Sequence, residues 1–226
     1  MSEQTSRASK SSWLRSLPSA QAKALRAASR VRRYQAGDSV FGPSRDPNEI
    51  YVLEDGLVRV LRVTPTGAEF TLRYVQPGDV FGAASVMSGM PRAAFAQAKA
   101  ASRILQVPRG AFLAMLQAHN GVLYSLAKKL AGMVIEVESR AEDLGLLDAR
   151  PRLARLLLRL AKEHGHHDAQ GLTIGLPLTH EEIATLIATS RQTVSLHLRE
   201  FADAGLVARR GRRLVLRNPR GLEAIA

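Results

Sequence analysis

Residues 178–202 read LTHEEIATLIATSRQTVSLHLREFA, and the spacing within this stretch decides how the rest of the chain is read. Thr179 stands three residues before Glu182, the pairing of a capping box, so a short helix starts after Thr179. Ile183, Leu186 and Ile187 give that helix an apolar stripe. After Ala188-Thr189, Ser190 caps a second helix running from Arg191 to about Ala202. Val194, Leu198 and Phe201 point it into a core, and Arg191, Gln192, Ser195 and Arg199 fall on the opposite face. Two short helices joined by a turn, the second polar on its outside, make a helix-turn-helix over about 179–202. A plain packed helical hairpin has the same pattern, so the flanking sequence must separate the two.

Downstream, Gly205–Leu216 reads GLVARRGRRLVL, a strand, an arginine-rich turn at Gly211 and a returning strand, which is a small wing. Six arginines lie between Arg209 and Arg220 with no acid among them. Arginine bonds guanine O6 and N7 in the major groove and glutamine bonds adenine N6 and N7, which makes Arg191, Gln192, Ser195 and Arg199 the candidate base readers. Thr179, Ser190 and Thr193 sit at helix N-termini, where hydroxyls and amides meet phosphate, and Arg212 and Arg213 at the wing tip would hold the flanking backbone. Net charge points the same way. Residues 1–33 carry +7, residues 34–148 carry −1 and residues 149–226 carry +6, for +12 in all. A merely solvated basic face would give the same balance. Wing and helix-turn-helix together favour double-stranded DNA as the partner.

Upstream, Val31 to Pro108 reads as short strands. Val40-Phe41, Ile50–Leu53 and Leu57–Val63 are separated by the turn sequences Ala36-Gly37-Asp38, Glu54-Asp55-Gly56, Pro65-Thr66-Gly67 and Gln76-Pro77-Gly78-Asp79. This predicts an antiparallel all-β domain, with Arg59 and Arg62 at solvent edges. From Arg109 to Leu144 there is no proline. Within it Leu123, Ala127, Leu130, Val134, Val137, Ala141 and Leu144 recur at alternating intervals of 4 and 3, a heptad seam that suits a second copy of the same helix. Packing of that helix on its own β domain is the alternative. Asp148 or Pro151 starts a further helix bearing Leu153, Leu156, Leu157 and Leu160, and Glu163–Asp168 reads as a polar loop whose histidines are solvated rather than metal-binding.

The 226 residues suffice for two domains, and the composition, 46 % hydrophobic and 23 % charged, is that of a folded chain. Cysteine is absent, which excludes disulfides, thiolate zinc sites and iron–sulfur clusters. No stretch of 18 apolar residues offers a membrane span, and the start MSEQTSRASKSSW has no apolar signal segment, so a cytoplasmic location is expected. No nucleophile–base pair or metal cluster stands out, and Glu181-Glu182 are explained by the cap and the helix face. An enzyme is not expected, nor a bound metal.

The order of β-roll, long helix and winged helix-turn-helix resembles the CRP/FNR superfamily of bacterial transcription regulators. The resemblance spans Leu17 to Arg217. It rests on Gly37-Asp38, Gln76-Pro77-Gly78-Asp79-Val80-Phe81-Gly82, Arg152-Leu153-Ala154, and Leu178–Val207 with Ser190-Arg191-Gln192-Thr193-Val194-Ser195. It implies an α+β chain: a cyclic-nucleotide-binding-like effector roll over 17–108, a dimerisation helix and hinge over 109–147, and a DNA-binding winged helix over 148–226. Residues 1–16 are expected to be a disordered tail. The resemblance also implies a homodimer, a two-fold symmetric DNA site, contact with RNA polymerase, and an effector pocket that includes Gly82, Ala83, Arg92, Ala93 and Ser125.

Two motifs depart from the family pattern. Where cyclic-AMP binders carry Gly-Glu-Leu, this chain has Gly82-Ala83-Ala84, and where they carry Arg-Ser it has Arg92-Ala93. A pocket without those bonds loses about 1–3 kcal/mol for each, so cyclic AMP is not the expected effector and no cofactor is required. In the recognition helix Gln192 replaces a glutamate and Leu196 replaces an arginine of regulators that read TGTGA, so a different half-site is expected.

Overall fold

A computed structural model describes residues 12–168, 171–211 and 213–226. The chain divides into two compact units, one ending at Ile135 and one beginning at Glu136, so the boundary falls inside a helix.

The first unit opens with α1 (Trp13–Ser16) and α2 (Ser19–Ala27). Strands β1 (Arg30–Tyr34), β2 (Ser39–Phe41), β3 (Glu49–Asp55), β4 (Val58–Val63), β5 (Glu69–Val75) and β6 (Val80–Phe81) follow, then α3 (Ala83–Ser88), β7 (Phe95–Ala98), β8 (Ser102–Pro108) and α4 (Arg109–Ala118). Two four-stranded antiparallel sheets result, in the orders β1-β8-β3-β6 and β2-β7-β4-β5. Strand alternation decides what each side chain meets. Tyr51 and Leu53 of β3 join Val40, Val58, Val60, Val75, Phe81, Ala96 and Ile104 in a core drawn from both sheets. Their neighbours Ile50 and Val52 face the other way, into a second core with Trp13, Leu25, Phe112, Leu116, Val122 and Leu126 from the helices.

Helix α5 (Asn120–Leu146) follows α4 after a break at His119, whose backbone is extended at φ −135° and ψ 90°. The single helix expected from 109 onward is therefore two. Lys129 of α5 donates to Asp79 at 2.8 Å and ties the helix to the Pro77-Gly78-Asp79 turn. Gly78 is needed in that turn on two counts: its φ is +90°, and a Cβ there would lie 1.8 Å from Ser12 Oγ.

Of residues 1–16, expected to be a disordered tail, residues 1–11 lie outside the described residues, and the rest is corrected: Ser12 caps α1 and Trp13–Ser16 form it. Trp13 is buried, edge-on to Phe112, with its indole N–H donated to Ser125, because a tryptophan that size has a ready-made place in the helix-side core. Arg59 is also corrected: it is buried, and it pairs with Glu69 across the β4–β5 ladder and donates to Gln97. Arg62 is exposed.

The second unit contains the end of α5 and α6 (Ala149–His164), β9 (Gly165–Asp168), β10 (Gly171–Ile174), α7 (His180–Leu186), α8 (Arg191–Asp203), β11 (Val207–Arg210), β12 (Arg213–Leu216) and α9 (Pro219–Glu223). Asp148 is the N-cap of α6, and Arg155 donates to Asp143 of α5 at 2.5 Å. The segment read as a loop, Glu163–Asp168, is regular throughout: Glu163 and His164 end α6, and Gly165–Asp168 is a strand paired with β10 in a sheet ordered β11-β12-β10-β9. Gly165 and Gly171 begin the two strands of this hairpin, and the polar composition of β9 reflects its place at the sheet edge. No group of three or more His, Cys, Asp or Glu poised to hold a metal occurs among the described residues. No helix of the described residues is long and apolar enough to cross a membrane.

Candidate nucleic-acid interface and effector site

The helix-turn-helix is built by its caps. Thr179 Oγ1 accepts from the Glu182 amide at 3.1 Å, and the Glu182 carboxylate accepts from the Thr179 amide at 2.9 Å, closing the capping box. Ser190 Oγ accepts from the Thr193 amide at 3.0 Å and starts α8. Between them Ala188 takes φ +49°, and it is the non-glycine residue with positive φ among the described residues. Ile183, Ala184, Leu186, Val194, Leu198 and Phe201 are buried and hold the two helices together.

Arg191, Gln192 and Arg199 are exposed on α8, and Ser195 is half-buried. Ser195 Oγ donates to the Arg191 carbonyl at 2.9 Å and lies 2.7 Å from His180 Nδ1. His180 in turn meets Arg209 of β11 through Nε2 at 3.2 Å. Burial, then Arg209 and Arg191, hold its pKa below the usual histidine value. This histidine was not singled out from sequence, although its position directly after the Thr179 cap places it at the first turn of α7. Thr179 and Ser190 are exposed and Thr193 is half-buried, so the three candidate phosphate-binding hydroxyls also serve as caps or cap partners. Arg213 is exposed at the start of β12, next to Gly211, whose φ of +59° makes the wing turn. Arg212 lies outside the described residues.

Two of the residues expected around an effector are in direct contact. Gly82 and Arg92 come together: Arg92 Nη2 donates to the carbonyls of Gly82 at 3.1 Å and Glu49 at 2.7 Å. Its Nε donates to Ser85 Oγ at 3.3 Å, and the guanidinium lies 4.3 Å above the Phe41 ring centroid and 5.5 Å from that of Tyr51. Arg92 is buried by these contacts. Burial, and Glu49 nearby, raise the Tyr51 pKa to about 12, so the phenol stays neutral beside the guanidinium. Ala83 belongs to the helix-side core, Ala93 is exposed, and Ser125 donates to the Val122 carbonyl at 2.8 Å while accepting from Trp13. The aromatic partners Phe41, Tyr51 and Phe81, with centroids 5.0–5.9 Å apart, were not anticipated, because aromatic residues in strands read first as core.

Along α5, Leu123, Ala127, Val134, Val137, Ala141 and Leu144 of the seam are exposed and Leu130 is half-buried.

Comparison with known proteins agrees with this architecture. Residues 31–119 match the cyclic nucleotide-binding domain family, and residues 151–225 match the Crp-like helix-turn-helix domain family. The Cyclic AMP receptor protein of Thermus thermophilus is 32 % identical over 176 residues, 78 % of each chain. The transcriptional regulator LdrP of the same species is 32 % identical over 195 residues, 85 % of this chain and 95 % of that one. A solved structure of a CooA mutant from Carboxydothermus hydrogenoformans superposes with a TM-score of 0.75 at 28 % identity, covering 88 % of each chain. With both domain matches in the order of the two units, and relatives at this identity over most of its length, the chain belongs to the CRP/FNR superfamily of transcription regulators.

Proposed function

We propose that the chain is a homodimeric regulator that reads a two-fold symmetric DNA site through Arg191, Gln192, Ser195 and Arg199, and that it does so without cyclic AMP. The observation that carries the DNA reading is the outward face of α8. It presents Arg191, Gln192 and Arg199 to solvent beside an arginine-bearing wing, while the opposite face is fully spent on the core. Thr179, Ser190, Thr193, Arg212 and Arg213 supply the phosphate contacts in this reading. The seam from Leu123 to Leu144 supports the homodimer, since its seven residues repeat at heptad spacing and six of them are exposed. Contact with RNA polymerase is carried over from the family.

Independence from cyclic AMP rests on Arg92. Three of its five N–H donors go to the Glu49 and Gly82 carbonyls and Ser85, and two aromatic rings lie against it, so a cyclic phosphate reaching Nε or Nη2 would have to displace bonds already made. A second reading, a nucleotide-gated activator with a remodelled pocket, is favoured by one observation, the 32 % identity to a protein named Cyclic AMP receptor protein. Selection of duplexes from a random pool by the full-length protein, with and without cyclic AMP, separates them. A palindrome enriched without nucleotide supports the proposal. Enrichment only with cyclic AMP supports the second reading. A C-terminal unit that binds protein instead would enrich nothing and would lack the steep salt dependence of phosphate contacts.

A further inference from the structure

Two ridges run along α8. Val194, Leu198 and Phe201, at i, i+4 and i+7, are buried. The opposite ridge begins two residues earlier, about 200° around the helix, with Gln192, Leu196 and Arg199 at the same spacing. Leu196 thus lies in the middle of the face that reads DNA in the proposal above, one turn beyond Gln192, and it is 53 % exposed. A single exposed leucine needs no explanation on an ordinary surface. Here it is flanked on its own ridge by the long polar side chains of Gln192 and Arg199, and its only way out of water is the surface on which they dock. It carries no hydrogen-bonding group, so it cannot read a donor or acceptor pattern. The major groove offers one apolar feature, the 5-methyl group of thymine.

We infer that Leu196 is a specificity-determining residue that packs on a thymine methyl in each half-site. The inference rests on the DNA-binding reading. Its chemistry is narrower, however: the ligand is a methyl group at C5 of a pyrimidine, whichever base partners Gln192 and Arg199 take.

The test uses the full-length protein and the duplex it selects. Each thymine of the half-site is replaced in turn by deoxyuridine, which removes only the methyl. One replacement should weaken wild-type binding about three- to tenfold, the scale for losing one buried methyl. Leu196→Ala should bind the thymine duplex correspondingly less well and should no longer distinguish it from the deoxyuridine duplex. Leu196→Arg should move the preference at that position toward guanine. Because the side chain is half in solvent, both variants should melt with the wild type, and melting is measured alongside. If every deoxyuridine duplex binds wild type as well as its parent, or Leu196→Ala keeps the wild-type discrimination, the inference is wrong. If no sequence is selected, the DNA-binding reading itself falls and takes this one with it.

Discussion

His180 Nδ1 and Ser195 Oγ lie 2.7 Å apart, linking the first helix of the helix-turn-helix to the middle of the second. The direction of the bond follows from the rest of the chain of contacts. Arg209 can only donate, so the His180 Nε2 that it meets is the acceptor, and Nδ1 carries the hydrogen given to Ser195. Ser195 passes its own hydrogen to the Arg191 carbonyl. The imidazole must be neutral for this to hold, and burial, Arg209 and Arg191 each favour the neutral form.

A pH dependence follows. The folded pKa of His180 lies below 6.5, so the unfolded chain binds the proton more readily. The contribution is fully present above pH 6.5 and is lost as pH falls through the lower folded value. Urea unfolding between pH 5 and 8 should therefore show stability declining toward pH 5. His180→Ala should flatten that slope while lowering stability at pH 8. Parallel pH profiles for the two proteins would refute this account.

Ala188→Gly should stabilise the second unit. At φ +49° the alanine Cβ crowds the following carbonyl, a cost of about 1–2 kcal/mol that glycine avoids, offset by roughly 0.5–1 kcal/mol of extra chain entropy. A net gain of about 0.5–1 kcal/mol is expected from chemical unfolding, with DNA affinity unchanged because the turn is positioned by caps on both sides.

The helix-turn-helix was legible because its signals are local. A capping residue three positions before its partner and an apolar stripe at helical spacing each state their structure within a few residues, and Gly211 does the same for the wing. The two-sheet roll was legible at the level of strands and turns for the same reason. What escaped was long-range. That Trp13 is core depends on α5, 112 residues away in sequence. That Arg59 is buried depends on Glu69 across a hairpin. The β9 strand, Gly165–Asp168, has no apolar alternation to declare it, and only its pairing with β10 makes it a strand. The departure from the cyclic-AMP binders' sequence pattern was visible in Ala83 and Ala93, but the contacts that Arg92 makes with Phe41, Tyr51 and two carbonyls were not.

Arg92→Ala should cost about 2–4 kcal/mol in the first unit, since it strands the Glu49 and Gly82 carbonyls and uncovers Phe41 and Tyr51. Arg92→Lys should recover little, because one ammonium cannot reach the carbonyls and Ser85 in the geometry of a planar guanidinium. Unfolding monitored by the tyrosines of this unit reads both. A ligand-binding arginine held only for a nucleotide would instead be removable at little cost to stability.

Val134→Glu should convert the expected dimer to a monomer. Val134 is 55 % exposed in the middle of the α5 seam, so a charge there disturbs no core of its own chain but would be buried like-against-like in a paired helix. Sedimentation should show half the mass with an unchanged circular dichroism spectrum. A dimer that persists would place the interface elsewhere than the seam.

Arg191 and Arg213 should fail in different ways. Arg191 opens α8 on the exposed face, where a guanidinium reaching a base edge discriminates between bases. Arg191→Ala should cost about 1–3 kcal/mol on the selected site and relax the preference at one position. Arg213 stands on the wing, where a guanidinium meets phosphate without regard to sequence. Arg213→Ala should weaken all duplexes alike and lower the slope of log affinity against log salt by about one for each half-site. Titrations of selected and scrambled duplexes at several salt concentrations separate the two effects. If Arg191→Ala weakens both duplexes equally and flattens the salt slope, Arg191 is a phosphate anchor, and base reading passes to Gln192 and Arg199.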